Sequence, residues 1–129
     1  MREPEDIKIG NYTLEEILER HLHWLNRDCE NWESMKADLH GADLHDANMS
    51  YANISGVIMS YANMSGADMS YANMFCADIR GANMVCADMR GIDLRKAKMS
   101  YANMSGANLC YANMRDAKMS YTNMICANS

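Results

Sequence analysis

From Ala37 to Cys126 the chain repeats every five residues without a skipped beat, giving 18 pentads and a closing fragment, Ala127-Asn128-Ser129. The long apolar residue at each pentad's centre, from Leu39 to Met124, is Met, Leu or Ile. The residue two before it is Ala except at Val57, Ile92 and Thr122. The residue just before it is Asn or Asp except at Ile58, Lys98 and Lys118. A strict short period means stacked like units. Five matches neither the helical period of about 3.6 nor the strand period of about 2. On an α-helix or a heptad coiled coil the centres would drift over every face. A chain that turns a corner at every pentad fits: Ala and the centre point inward, and the other three positions point out. Four corners close a coil of about 20 residues, and coils stack at the strand spacing of about 4.8 Å.

The run Ala-(Asp/Asn)-(Leu/Met)-X-X resembles the pentapeptide-repeat proteins, over residues 37 to 129. The resemblance implies a right-handed quadrilateral β-helix. The expected fold class is therefore an all-β solenoid of about four and a half coils with an N-terminal capping α-helix. One departure is the centre, which is Met in 12 pentads where the family usually has Leu or Phe. Met fills irregular gaps, so the core is expected to close but to be softer and more oxidisable. Inward Met at this spacing reads as core before it reads as a copper or redox site.

Residues 20 apart should sit one above another, so that Asp43, Asn63, Asn83, Asn103 and Asn123 form one column and Asn53, Asn73, Asp93 and Asn113 another. Stacked amides suit hydrogen bonding along such a column. Tyr101 should lie over Tyr121, and Tyr51 over Tyr71.

Residues 1 to 36 lack the pentad and read as a cap. Thr13-Leu14-Glu15-Glu16 is a capping box, and Leu14, Ile17, Leu18, Leu22 and Leu25 form an apolar stripe at helical spacing. The spacing predicts a helix over about residues 14–27, with Glu15, Glu16, Glu19 and Arg20 facing water. Trp24 and Trp32 are placed to cover the open end of the first coil, which a solenoid must seal. The stretch Ile17 to Leu25 is similar to a leader found before many bacterial pentapeptide runs. The other end has no such cap and stops mid-coil at Ser129. A homodimer joined through Met119, Tyr121, Met124 and Ile125 is expected.

At 129 residues the chain reads as one domain. No apolar run approaches the length of about 20 residues that spans a membrane, and the acidic N-terminus does not read as a signal peptide. Five Cys without CxxC spacing suggest neither a zinc site nor a disulfide framework. Cys86 and Cys126 fall two coils apart, about 10 Å, too far to bridge. Reduced thiols point to the cytoplasm.

An enzyme is not expected. A filled rod offers no pocket for converging groups, and GxSxG, P-loop, HExxH and dinucleotide fingerprints are all absent from the sequence. His40 and His45 should lie on adjacent faces of the first coil, and His21 and His23 on opposite sides of the helix, so no metal site and no cofactor is expected. DNA mimicry, by which some members bind DNA gyrase or topoisomerase IV and confer quinolone protection, requires a dense negative surface. The net charge of −5 resides mostly in residues 1 to 36, with nine acids and five bases. The repeat is nearly neutral, with eight Asp against seven Lys and Arg. The reading preferred is a scaffold or protein-interaction module. Its candidate partner surface is a basic corner of Arg95, Lys96, Lys98, Arg115 and Lys118, offset by Asp116, with Phe75 one coil below Arg95 and placed to stack with it. Phe75, Val85, Ile58 and Ile125 are expected as exposed apolar residues. Nucleic acid is not expected there, because the basic residues are few and balanced.

Overall fold

The computed structural model describes residues 1–128; Ser129 lies outside the described residues. Throughout the repeat, the residue before each centre makes a parallel bridge to its counterpart 20 positions on, from Asp38 with Ile58 to Asn108 with Asn128. Each bridge is one residue wide, because the rest of every pentad is spent on a turn. In that turn the centre's carbonyl accepts the N–H of the residue three on, as in Ala42 to Leu39 at 3.1 Å. The residue two after each centre has φ between +55° and +75°. Twelve of the 18 turns place a non-glycine residue there, six of them Tyr. The left-handed conformation costs an L-residue about 1–2 kcal/mol, so the stacking on either side must hold it.

That stacking is complete in the middle of the rod. Met74 N–H donates to the Asp93 carbonyl at 2.8 Å, and Asp93 N–H returns to the Ala72 carbonyl at 3.0 Å. Each pentad is thereby tied to the coil above and the coil below. Inward Ala and Met, Leu or Ile from Leu39 to Leu109 are almost wholly buried, with Ala42 and Ala52 partly so. On the outside, Tyr51 stacks on Tyr71 at 5.2 Å and Tyr101 on Tyr121 at 5.1 Å, as the period predicts. Where Tyr61 leans over the next coil, position 81 is Gly. A Cβ there would lie 2.6 Å from the Tyr61 ring.

The Asn columns are in register, but their side chains do not bond along the column. Instead Asn63 Oδ1 accepts Ser65 N–H, Asn73 Oδ1 accepts Phe75 N–H and Asn83 Oδ1 accepts Val85 N–H, each at 3.1 Å. A corner brings the N–H two residues on within reach, whereas the next amide of the column is about 4.8 Å away.

The cap opens with a 3-10 turn at Pro4–Asp6, then a short hairpin of β1 (Lys8–Ile9) and β2 (Tyr12–Thr13), then α1 (Leu14–Asn26). The hairpin was not foreseen from the sequence. The capping box forms: Thr13 Oγ1 accepts Glu16 N–H at 3.2 Å, and Glu16 Oε1 accepts Thr13 N–H at 3.0 Å. α1 ends at Arg27, whose φ of 52° makes the left-handed cap. The buried stripe differs from the expected one. Leu14 and His21 are buried, Ile17 and Leu18 pack on the core, and Leu22 turns outward. Positions 14, 17, 18 and 21 continue one helical face, and a neutral imidazole occupies its end. Trp24 stacks on His21 at 5.1 Å and covers the corner at Gly56. Trp32 lies instead under the Arg27 guanidinium, at 5.1 Å. Arg2 bridges to Ala47 and adds a partner to the first coil's open edge.

Candidate functional site

The basic corner is built by two stacked turns. Leu94-Arg95-Lys96-Ala97 makes one, with Lys96 at φ 58°, and Met114-Arg115-Asp116-Ala117 the next, with Asp116 at φ 60°. Lys96 N–H donates to the Arg115 carbonyl at 3.0 Å, which locks the two in register. Phe75 lies one coil below, as expected, with the Arg95 guanidinium 5.2 Å and the Lys96 ammonium 5.9 Å from its ring centroid. Phe75, Arg95, Lys96, Asn113, Arg115 and Asp116 line a concavity of about 380 Å³.

Lys98 and Lys118 stand apart from this lining. They stack on the adjacent side, bridged to each other and, through Lys98, to Asp78. Asp116 is also not the only offsetting acid. Asp93 receives two hydrogen bonds from the Arg95 guanidinium, at 2.9 and 2.7 Å, and those bonds hold its carboxyl below the usual carboxylate range. The same clasp recurs at Asp78–Arg80 and Asp88–Arg90. Asp before the centre and Arg after it, two positions apart on one side, is the signal that could have revealed the clasp. Of the four apolar residues expected on the surface, Phe75, Val85 and Ile58 are half-buried, and only Ile125 is strongly exposed, at 70%.

At the last coil, Met119 is 40% and Tyr121 80% exposed, while Met124 still packs against the core. The first coil keeps its histidines apart, His40 Nδ1 on Ser60 Oγ at 2.6 Å and His45 Nδ1 on Asp43 Oδ1 at 2.6 Å. Beside α1, sequence reasoning missed a groove of about 490 Å³ whose lining includes Glu3, Glu15, Glu19, Leu18, Leu22 and Tyr51. It forms because the N-terminal segment folds back onto the first coil. No helix among the described residues is long and apolar enough to cross a membrane.

The family model described as pentapeptide repeats matches eight copies within the chain, over residues 37–74, 47–84, 72–109 and 100–128. No curated protein matches the chain. Among solved structures, the chain is similar to the pentapeptide repeat protein Rfr23 from the cyanobacterium Cyanothece 51142, at 26% identity and a TM-score of 0.68, covering 69% of this chain and 61% of that one. It is also similar in fold to a trypsin-treated variant of QnrB1, a plasmid-mediated fluoroquinolone resistance protein, at 18% identity and a TM-score of 0.56, covering 67% of this chain and 48% of that one. The chain thus spans less than two thirds of the length of either structure. The 20-residue bridge spacing and these likenesses together give a right-handed β-helix solenoid. The chain belongs to the pentapeptide-repeat family.

Proposed function

We propose that this chain is a non-catalytic binding module: a quadrilateral rod of about four and a half coils, sealed at its N-terminal end by α1, whose protein partner docks at the corner of Phe75, Arg95, Lys96 and Arg115. The observation that carries this reading is the corner concavity itself. There Asp93 holds one guanidinium in place beside an aromatic ring. Lys96 and Arg115 make no ion pair among the described residues. A partner segment carrying carboxylates next to an apolar group would satisfy both cations and cover Phe75.

The outward hydroxyls favour a non-catalytic role. Ser50 and Ser70 donate to the Asn48 and Asp68 side chains of their own pentads, at 2.8 and 2.6 Å. His40 with Ser60 is a pair of the kind that can make a nucleophile and its base, yet Ser60 is only 8% exposed and, among the described residues, no carboxylate within hydrogen-bond reach orients the imidazole. A DNA-mimic role is disfavoured by charge: three of the repeat's eight Asp are clasped by Arg80, Arg90 and Arg95. A cytoplasmic setting belongs to the same reading, supported by five cysteines without disulfide spacing.

The partner surface is tested by charge reversal. A protein retained by the parent chain in capture from cells of its source should be lost with Arg95→Glu plus Lys98→Glu, and with Arg95→Glu plus Arg115→Glu. Capture that is unchanged by both pairs would sink the assignment. The same reading includes a homodimer through Met119, Tyr121, Met124 and Ile125, supported by the exposure of the first two and of Ile125. Light scattering should return twice the monomer mass, falling to the monomer with Ile125→Glu; a monomer mass for the parent at micromolar concentration would refute it.

A further inference from the structure

We propose that His23, Asp28 and Cys29 form a site for one borderline divalent metal ion of the zinc type. α1 presents His23 in its last turn, and the left-handed cap at Arg27 reverses the chain and returns Asp28 and Cys29 to the same place. The donor atoms of the three side chains all lie within 4.8 Å of one another. Ligands around tetrahedral zinc sit about 3.3–3.8 Å apart, so closure requires shifts of about 1 Å in side chains of a surface loop. One nitrogen, one carboxylate oxygen and one thiolate are the donor types that zinc takes together.

Two further features favour a cation here. The site lies at the C-terminal end of α1, where the backbone carbonyls present partial negative charge. Arg27, the nearest cation along the chain, is turned away onto Trp32 at 5.1 Å. The half-buried Cys29 thiol donates to the Met35 sulfur at 3.7 Å, a weak contact delivered by the 3-10 turn Trp32–Met35 that the sulfur gives up on turning to the ion. The His23 to Asp28 contact, Nδ1 to Oδ1 at 2.7 Å, is by itself an ordinary surface pair.

On binding, the ion replaces the proton between Nδ1 and Oδ1, which moves to Nε2, and the pair opens to about 3.3 Å. The Cys29 thiol gives its proton to solvent, so one proton is released per ion bound by the neutral imidazole. The fourth position faces water.

Cobalt(II) titrated into the reduced, full-length protein tests this. The expected result is four-coordinate visible absorption with a thiolate-to-cobalt charge-transfer band, saturating at one ion per chain and erased by excess zinc. Cys29→Ser should lose the charge-transfer band although the other four cysteines remain. His23→Ala should weaken binding by about tenfold or more, the scale that even an outer-shell partner commands. Absence of the band at one equivalent overturns the site, as does a band that survives in Cys29→Ser.

Discussion

Met74→Ala is expected to lower stability by about 2–5 kcal/mol, while Met74→Leu costs less than about 1.5 kcal/mol. Met74 is fully buried near the middle of the rod, with Ile54 one coil below and Leu94 one coil above, both also fully buried. Its backbone is held on both sides, by the Asp93 carbonyl above and by the neighbouring Asn73 N–H to Ala52 bond below. The coil therefore cannot collapse onto the lost thioether without breaking bridges, and the cavity stays open. Leu keeps the volume and removes only the flexibility. The same truncation at Met119, already 40% exposed, removes far less buried surface and should cost under about 1 kcal/mol. Urea unfolding followed by far-ultraviolet dichroism measures all three. In a solenoid each coil touches only its neighbours, so a central defect also weakens coupling between the two ends. Equal midpoints for Met74→Ala and Met119→Ala would defeat the inward assignment of the centres.

The period of five makes this core legible in the sequence, because a strict repeat leaves one geometry that buries every centre at once. It also placed Tyr51 over Tyr71 and Phe75 beneath Arg95, since both follow from stacking at 20 residues. What it could not carry was competition within a single pentad. Whether Asn63 bonds its column or its own corner depends on the turn's φ, which composition does not encode. Whether Arg95 is a free cation depends on Asp93 two residues earlier on the same side. The cap lacks the five-residue period. The apolar stripe found α1 and its capping box, but hydrophobic spacing selected Leu22 and passed over His21. The folding back of Asp28 and Cys29 onto His23 follows from one left-handed residue at Arg27, for which the sequence gives no sign such as Gly.

His21→Ala is expected to loosen the cap on the first coil, because His21 serves two backbone groups that have no other partner among the described residues. Its Nδ1 accepts the Ala37 N–H at 2.9 Å and its Nε2–H donates to the Ser55 carbonyl at 2.7 Å. Ala37 and Val57 occupy successive levels of one column, so the imidazole clips the step at which the first coil passes into the second. Only the neutral ring can do both. Truncation leaves a donor and an acceptor unsatisfied in a buried place, about 1–3 kcal/mol each, and removes the ring that Trp24 stacks on. His21→Gln retains an acceptor and a donor and should recover part of the loss. The pH dependence follows from the same geometry. Burial pushes the His21 pKa down, the hydrogen bond to Ser55 opposes this, and the Lys36 cation, which lies over Trp24, adds to the lowering. The unfolded chain takes up the proton near pH 6.5, above the folded value. Below that pH the unfolded state binds more protons, so the His21 contribution is complete above about pH 6.5 and is lost as pH falls toward the folded pKa. Hydrogen exchange at the Ala37 amide, followed from about pH 8 down to 5 with chelator present, should show protection falling beyond the intrinsic trend in the parent. In His21→Gln that extra fall should vanish. His23, His40 and His45 bond side chains outside this contact, so an unchanged pH response in His21→Gln would transfer the effect to one of them and refute the clip.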